Sequence, residues 1–139
     1  MFYLSARMFG EACLELFIYR FAPNKKMQLY LLPRPKNDPF YAGMMHLPGA
    51  RKIPTETGQQ TLARAFRETP FNPKNYVIEH AMNETYKAKR GVEYADIRRV
   101  FIHEYNPAIK DFYYLDDLPD NIIAHHKQII KDVTGVKHV

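Results

Sequence analysis

The sequence predicts an α/β domain with a mixed sheet, and two observations agree on this. Segments rich in β-forming residues come both before and after one central helical segment, and a second helix closes the chain. At 139 residues the chain is long enough for one domain and one hydrophobic core. We therefore expect a single domain over residues 1–139, folded as an α/β sandwich.

The first part of the chain predicts a strand pair followed by a loop. Residues 14–21 are rich in β-formers and stop at Pro23, and residues 27–32 repeat that character, so the two segments are expected to pair as a hairpin. The proline content of residues 33–39 predicts a loop. A short strand is expected over residues 44–47.

A helix is predicted from Thr57, a plausible N-cap, to about Thr69, because Leu62 and Phe66 lie one turn apart and Pro70 cannot continue the helix. Further strands are expected over residues 76–82, 98–105 and 112–115, with an exposed turn at residues 89–91. The closing helix is expected to be capped by Asp120 or its neighbour and to end at Gly135. Its apolar stripe comprises Ile122, Ile123, Ile129, Ile130 and Val133.

Composition limits the classes of function. The net charge of +5 favours polyanionic ligands such as nucleotides or nucleic acid, although it also serves solubility alone. A lone cysteine, Cys13, cannot form an internal disulfide, which fits a cytoplasmic location, and its default role is a small buried hydrophobe. No apolar stretch approaches the roughly 18 residues of a membrane span, and residues 1–7 lack the pattern of a secretory signal.

Residues 47–71 resemble the Nudix box, G-x5-E-x7-R-E-U-x-E-E-x-G-U, in which U is a bulky aliphatic residue. Glu56, Arg64 and Glu68 match the loop Glu, the Arg and one helical Glu of the motif. Four positions depart from the motif, namely Ala50, Ala65, Thr69 and Phe71. The strand pair, the Leu47-Pro48-Gly49 entry, residues 112–119 and the closing helix also follow the Nudix order. The resemblance implies a Nudix-type α/β/α sandwich that acts on or binds nucleoside diphosphate-linked compounds.

The departures from the motif affect the chemistry that the resemblance implies. Nudix enzymes cleave a pyrophosphate linkage with water, helped by Mg²⁺ or Mn²⁺, and such cations need carboxylate ligands. On a helix, positions 65, 68 and 69 would share one face, where only Glu68 is charged. Hydrolysis is therefore expected to be weak or lost. Glu56, Arg64 and Glu68 are the candidate catalytic residues, with Glu68 as a metal ligand. The resemblance also implies that Glu56 and Arg64 fix the loop to the helix, with a merely exposed ion pair as the alternative. For Glu68 the alternative is a solvated carboxylate.

Other side chains extend the candidate site. Glu93 and Asp96 are placed near a predicted loop, from which they could reach inward as replacement acids, with Glu93 as a metal ligand. The alternative is that both are ordinary surface acids. His125 and His126 are adjacent on a helix and should point about 100° apart, a poor arrangement for one metal ion, and His103 is expected in a strand. The candidate substrate-binding residues, next to the box or in it, are His46, Gly49, Arg51 and Lys52.

Three functions remain open on the sequence. The first is a pyrophosphohydrolase that uses Glu68, Glu56 and a replacement acid with Mg²⁺ or Mn²⁺. The second is a non-catalytic module that binds a nucleotide-like small molecule, or RNA, through aromatic stacking and basic side chains. The third is a structural or dimeric partner protein without a ligand. The sequence is compatible with a homodimer, and no membrane association is expected.

Overall fold

The computed structural model describes residues 11–137, and its framework is a mixed sheet between two helices. The sheet order is β6-β7-β1-β2-β8, with β5 also pairing with β1, and β3 and β4 form a separate two-stranded sheet. The strands are β1 (Glu11–Phe21), β2 (Met27–Tyr30), β3 (Leu32–Pro33), β4 (Met45–His46), β5 (Gly49–Arg51), β6 (Ile78–Ala88), β7 (Gly91–Phe101) and β8 (Phe112–Tyr114). The helices are α1 (Gly58–Phe66) and α2 (Ala124–Thr134), and one 3-10 turn covers Pro73–Asn75. The prediction made on residues 1–7 lies outside the described residues.

Strand β1 is the centre of the sheet. Strand β7 runs parallel to it along one edge, while β5 and β2 share the other edge, both antiparallel to β1. The parallel pair makes the sheet mixed, as predicted. The predicted hairpin of residues 14–21 with 27–32 is confirmed, but its second segment divides into β2 and β3. It divides at Leu31, whose backbone N–H donates to the carbonyl of Asp111 rather than to a neighbouring strand.

The two faces of β1 build two cores, because side chains alternate across a strand. Leu14, Leu16 and Ile18 pack with Ala65 and Phe66 of α1 on one face. On the other face, the core around α2 contains Phe17, Ala95, Ile97, Ile129 and Ile130. The predicted α/β/α sandwich is therefore confirmed.

Helix α1 begins as predicted but ends early. The Thr57 side chain accepts from the Gln60 N–H at 3.2 Å, and the Gln60 side chain accepts from the Thr57 N–H at 2.9 Å, which forms a capping box. At the other end, the Thr69 hydroxyl donates to the Phe66 carbonyl at 2.8 Å and accepts from the Phe71 N–H. Because these bonds close the helix at Phe66, the prediction that positions 65, 68 and 69 share a helical face is wrong.

The hairpin of β6 and β7 is longer than the sequence predicted. Gly91, with a φ of 121°, begins β7 and confirms the turn at residues 89–91. The strand extends because its first half pairs with both β1 and β6. Glu93 and Asp96 consequently lie inside β7, with Glu93 two residues after Gly91 of the turn. His103 follows β7 on the surface, so its predicted place in a strand is wrong.

Helix α2 begins at Ala124, and its N-cap Ile123 makes no side-chain capping bond, so the expected cap at Asp120 is wrong. The preceding backbone is held extended because Met45 exchanges hydrogen bonds with Asn121 and Ile123. Gly135 ends the helix at a φ of 72°, as predicted. Neither helix is long and apolar enough to cross a membrane.

Candidate functional site

An ion pair fastens the loop after β5 to helix α1. Arg64 donates from Nε to Glu56 Oε2 and from Nη2 to Glu56 Oε1, both at 2.7 Å. The same guanidinium also donates to the backbone carbonyl of Arg51. These hydrogen bonds lower the pKa of Glu56 below its usual value. The pair predicted from the sequence thus forms. Together with the bond from Arg64 to the Arg51 carbonyl, it gives three hydrogen bonds between helix α1 and the β5–α1 segment.

A groove of about 200 Å³, which we call the arginine groove, lies between the end of α1 and the β4–β5 segment. Three cationic side chains line it, whereas Glu68 is the one carboxylate that the described part of the chain contributes to its lining. Its lining residues are Leu32, Arg34, His46, Pro48, Gly49, Ala50, Arg64, Ala65, Arg67 and Glu68. The groove therefore presents three guanidinium groups beside residues 47–71, and two of these groups, those of Arg34 and Arg64, also pair with Asp38 and Glu56.

The residues of the box do not fit a Mg²⁺ or Mn²⁺ cluster. Ala65 is buried and has no ligand atom, and the Thr69 hydroxyl is occupied by the backbone at the end of α1. Within residues 11–137, Glu68 belongs to no set of three potential ligand groups whose atoms lie within 4.8 Å of one another. One exposed carboxylate is too few for hard cations that need several oxygen ligands.

A second space of about 230 Å³, which we call the acidic cavity, lies beneath the first turn of α2. Cys13 and Glu15 enter it from β1, and Glu93 enters from β7. The parallel register pairs Glu11 with Glu93 and Cys13 with Ala95, so all three side chains lie on the face of the sheet that α2 covers. His125 and His126 close the cavity from above.

The acidic cavity concentrates buried groups that ionise to anions. The Glu15 side chain is only 7% exposed, and burial, reinforced by Glu93, raises its pKa well above the usual value. Burial likewise raises the pKa of the Cys13 thiol. Among the described residues, Glu15 Oε2 and Glu93 Oε2 are buried without a hydrogen-bond partner. Such atoms are costly unless a ligand completes them.

The histidines converge on these acids instead of diverging. The rings of His125 and His126 lie 4.6 Å apart, and each offers a nitrogen within 4.8 Å of a Glu93 oxygen, so the two residues lie closer to one point than the helical spacing predicted. His125 Nε2 lies 3.4 Å from Glu93 Oε1. Burial also lowers the pKa of His126 well below its usual value.

The predicted substrate-binding residues divide between the two spaces. His46 and Gly49 line both, with His46 Nδ1 2.7 Å from the Leu47 carbonyl. Arg51 lines the acidic cavity and pairs with Glu11 at 3.2 Å. Lys52 lines neither space and instead donates to Asp96 at 2.9 Å.

Asp96 does not reach inward as a replacement acid. It accepts from Arg98 at 2.8 Å as well as from Lys52. Although partial burial opposes ionisation, these hydrogen bonds lower the pKa of Asp96 to about 2. Glu93, the other proposed replacement acid, does face a cavity, but it lies with Cys13, Glu15 and the histidines and not with Glu68.

Sequence reasoning missed Glu15. A signal was present, because Cys13, Glu15 and Phe17 occupy alternate positions within residues 12–19 of β1, where every residue except Glu15 is apolar or aromatic. A carboxylate in such a strand is buried, and a buried carboxylate needs a partner. Cys13 was predicted to be a small buried hydrophobe, and that prediction did not take Glu15, two residues further on, into account.

The structure has the Nudix fold. It is similar to the NUDIX domain of Shewanella oneidensis NrtR complexed with ADP ribose, with a TM-score of 0.63, 16% identity and coverage of 88% of this chain and 84% of that chain. It is also similar to the C-terminal domain of mouse MUTYH in its complex with human PCNA, with a TM-score of 0.68, 10% identity and coverage of 88% and 86%. A Nudix hydrolase from M. smegmatis, RenU, gives a TM-score of 0.64 at 15% identity, with coverage of 90% and 86%. No protein-family model and no curated protein matches the sequence.

Proposed function

We propose that this protein binds a nucleoside diphosphate-linked compound in the arginine groove and hydrolyses it weakly or not at all. The observation that carries the proposal is the composition of that groove, in which Arg34, Arg64 and Arg67 surround a single carboxylate, Glu68. Guanidinium groups bind phosphate oxygens through paired hydrogen bonds. The protein therefore supplies directly the positive charge that a metal cluster would otherwise supply to a diphosphate.

The three arginines differ in how they are held. Arg34 is fixed by Asp38, which accepts from its Nε at 3.0 Å, and Arg64 is fixed by Glu56. Arg67 follows the end of α1, is exposed and forms no ion pair within residues 11–137. Because Arg67 is not held in an ion pair, although its charge also acts on Glu56, we assign it the largest share of the attraction for phosphate.

The loss of catalysis follows from the same site. Attack of water on a diphosphate requires that the charge on the phosphate oxygens be neutralised while the nucleophile is activated. Glu68 alone provides neither a metal cluster nor a partner acid, since the nearest buried acids lie in the acidic cavity. We regard Glu56 and Arg64 as residues that position the loop.

The size of the arginine groove favours a nucleoside diphosphate-linked small molecule over RNA. A space of about 200 Å³ suits part of one small molecule, and extended single strands need longer charged tracks. The bound ADP ribose of the similar NrtR domain makes ADP-ribose a suitable first probe. A cytoplasmic location and a homodimer remain part of this proposal as predictions, the former supported by the lone cysteine.

The test is calorimetric titration of ADP-ribose into the wild-type chain and the Arg67→Gln variant, in EDTA and in Mg²⁺. We expect binding in EDTA and a loss of affinity of about tenfold in the variant, equivalent to about 1.4 kcal/mol. Arg99→Gln is the matched control, because Arg99 is an exposed arginine that lines neither space and its replacement removes the same charge.

Equal losses in both variants would mean that net charge alone attracts the ligand and would contradict the assignment of Arg67. Binding that requires Mg²⁺ would contradict direct recognition by arginine. Tighter binding of single-stranded RNA than of ADP-ribose, with a steep dependence on salt, would replace the proposal with the RNA-binding alternative.

A further inference from the structure

We propose that the acidic cavity is a site for a divalent transition-metal ion of the Zn²⁺ class, held by Cys13, Glu15, Glu93 and His125. The site is separate from the degenerate box and does not depend on the proposed function of the arginine groove. Two sets of ligand groups, one of Cys13 with Glu15 and Glu93 and one of Glu93 with His125 and His126, have atoms within 4.8 Å of one another. Both sets share Glu93, which therefore lies at the centre.

The fold brings these residues together by pairing distant segments. Cys13 and Glu15 are two residues apart on β1 and so lie on the same face of the strand. Strand β7, parallel to β1, places Glu93 beside them, and α2 lowers His125 onto Glu93 at 3.4 Å. Cys13, Glu15 and Glu93 thus place one thiol and two carboxylates within 4.8 Å of one another. His125, whose Nε2 lies 3.4 Å from Glu93 Oε1, is the candidate fourth ligand and would complete the number that a tetrahedral zinc site uses.

The unpaired atoms of the cavity point to a cation. Glu15 Oε2 and Glu93 Oε2 are buried, and within residues 11–137 neither has a hydrogen-bond partner. The side chain of Glu15 is 7% exposed, so water cannot solvate it freely. Three arginines also line the cavity, but Arg34 is held by Asp38, Arg51 pairs with Glu11, and Arg90 lies over the Phe40 ring. A divalent ion would complete both carboxylates and offset their mutual repulsion.

His126 is a positioning residue and not a ligand. Its Nδ1 accepts a hydrogen bond from the Leu47 N–H at 2.9 Å, so the proton of the neutral ring is on Nε2. That Nε2 faces Glu15 Oε2 at 3.8 Å, where its N–H can orient the carboxylate. Imidazole–carboxylate pairs of this kind hold ligands in place at metal centres.

The donor set selects the class of ion. Thiolate and imidazole ligands favour Zn²⁺ and similar borderline ions, whereas Mg²⁺ requires oxygen ligands in a near-octahedral arrangement. A Zn²⁺ ion here would be enclosed by sheet and helix, so its expected role is to hold α2 to the sheet. Binding of an ion to the folded state alone raises the thermal stability by mass action.

The test is titration of the metal-free full chain with Zn²⁺, and with Co²⁺ as a spectroscopic probe, followed by circular dichroism, thermal unfolding and visible absorption. We expect one ion per chain, a rise in Tm with Zn²⁺ but not with Mg²⁺, and a thiolate-to-Co²⁺ charge-transfer band. Cys13→Ser should abolish that band, and Glu93→Gln and His125→Ala should weaken Zn²⁺ binding at least tenfold. The matched control is His103→Ala, since His103 is exposed and lies outside the cavity.

A folded wild-type chain that binds neither ion would overturn the proposal. So would a Co²⁺ spectrum that is unchanged in a folded Cys13→Ser variant, or equal weakening in the His103→Ala control. If Glu93→Gln fails to fold, the Cys13→Ser spectrum still decides the question, because the thiolate band depends on one ligand atom only. ADP-ribose binding is expected to persist in Cys13→Ser, which keeps this test distinct from that of the arginine groove.

Discussion

Gly49 lies where the two spaces of the site meet, and it is held there by close packing. A Cβ atom at this position would approach the backbone carbonyl of Leu14 to 2.5 Å and Glu15 Oε2 to 2.7 Å. The carbonyl cannot move without disturbing the pairing of β5 with β1. The sequence predicted that Gly49 contacts substrate, but it gave no indication of this packing.

We expect Gly49→Ala to lower the free energy of unfolding by about 1–3 kcal/mol, because the added methyl group overpacks a strand pair. Gly58→Ala is the matched control. Gly58 starts α1 with open space around its Cα, so that change should be neutral or slightly stabilising. Chemical denaturation of both variants checks the prediction, and equal stability of the two would contradict it.

At the scale of the element, helix α1 shows which features could be predicted from the sequence and which could not. Its N-cap at Thr57 was predictable from the local sequence, and the pairing of Glu56 with Arg64 was expected from the Nudix resemblance. Its end at Phe66 was not, because the Thr69 hydroxyl takes part in closing it, and no periodicity records that bond. The predicted strand β7 was too short for a similar reason, because its polar first half is a strand only through its pairing with β1 and β6.

The fastening of the loop to α1 should make stability depend on pH. The pKa of Glu56 in the folded protein lies below its ordinary value of 4.5, so its contribution to stability is present above that pH and is lost as the pH falls through the lower, folded value. We therefore expect Glu56→Gln to lower Tm at neutral pH, by an amount that shrinks as the pH drops below 4.5. Thermal unfolding across pH tests this.

The control for that measurement is Glu79→Gln, because Glu79 is exposed and lies 3.9 Å from its partner Arg99. It should change Tm little at any pH. A Tm difference for Glu56→Gln that stays constant down to acid pH would show that the ionised Glu56 carboxylate is not the source of the stabilisation.

At the scale of the whole molecule, the order of elements sufficed to predict the sandwich, but the acidic cavity depended on topology. Cys13 and Glu93 are distant in sequence and meet only because β7 runs parallel to β1. Helical spacing alone separated His125 from His126, whereas packing of α2 on the sheet turns both toward Glu93. Local patterns carry no information on such pairings, so Glu15 and the convergence of the histidines were missed.

The central claim, binding of a diphosphate without efficient cleavage, is tested most directly by ³¹P NMR of ADP-ribose mixed with the protein in Mg²⁺ or Mn²⁺. The structure predicts that the diphosphate resonances shift or broaden on binding, while no phosphate monoester products accumulate. Steady formation of monoesters that is abolished in Glu68→Gln would contradict the claim and would assign Glu68 to a working catalytic site.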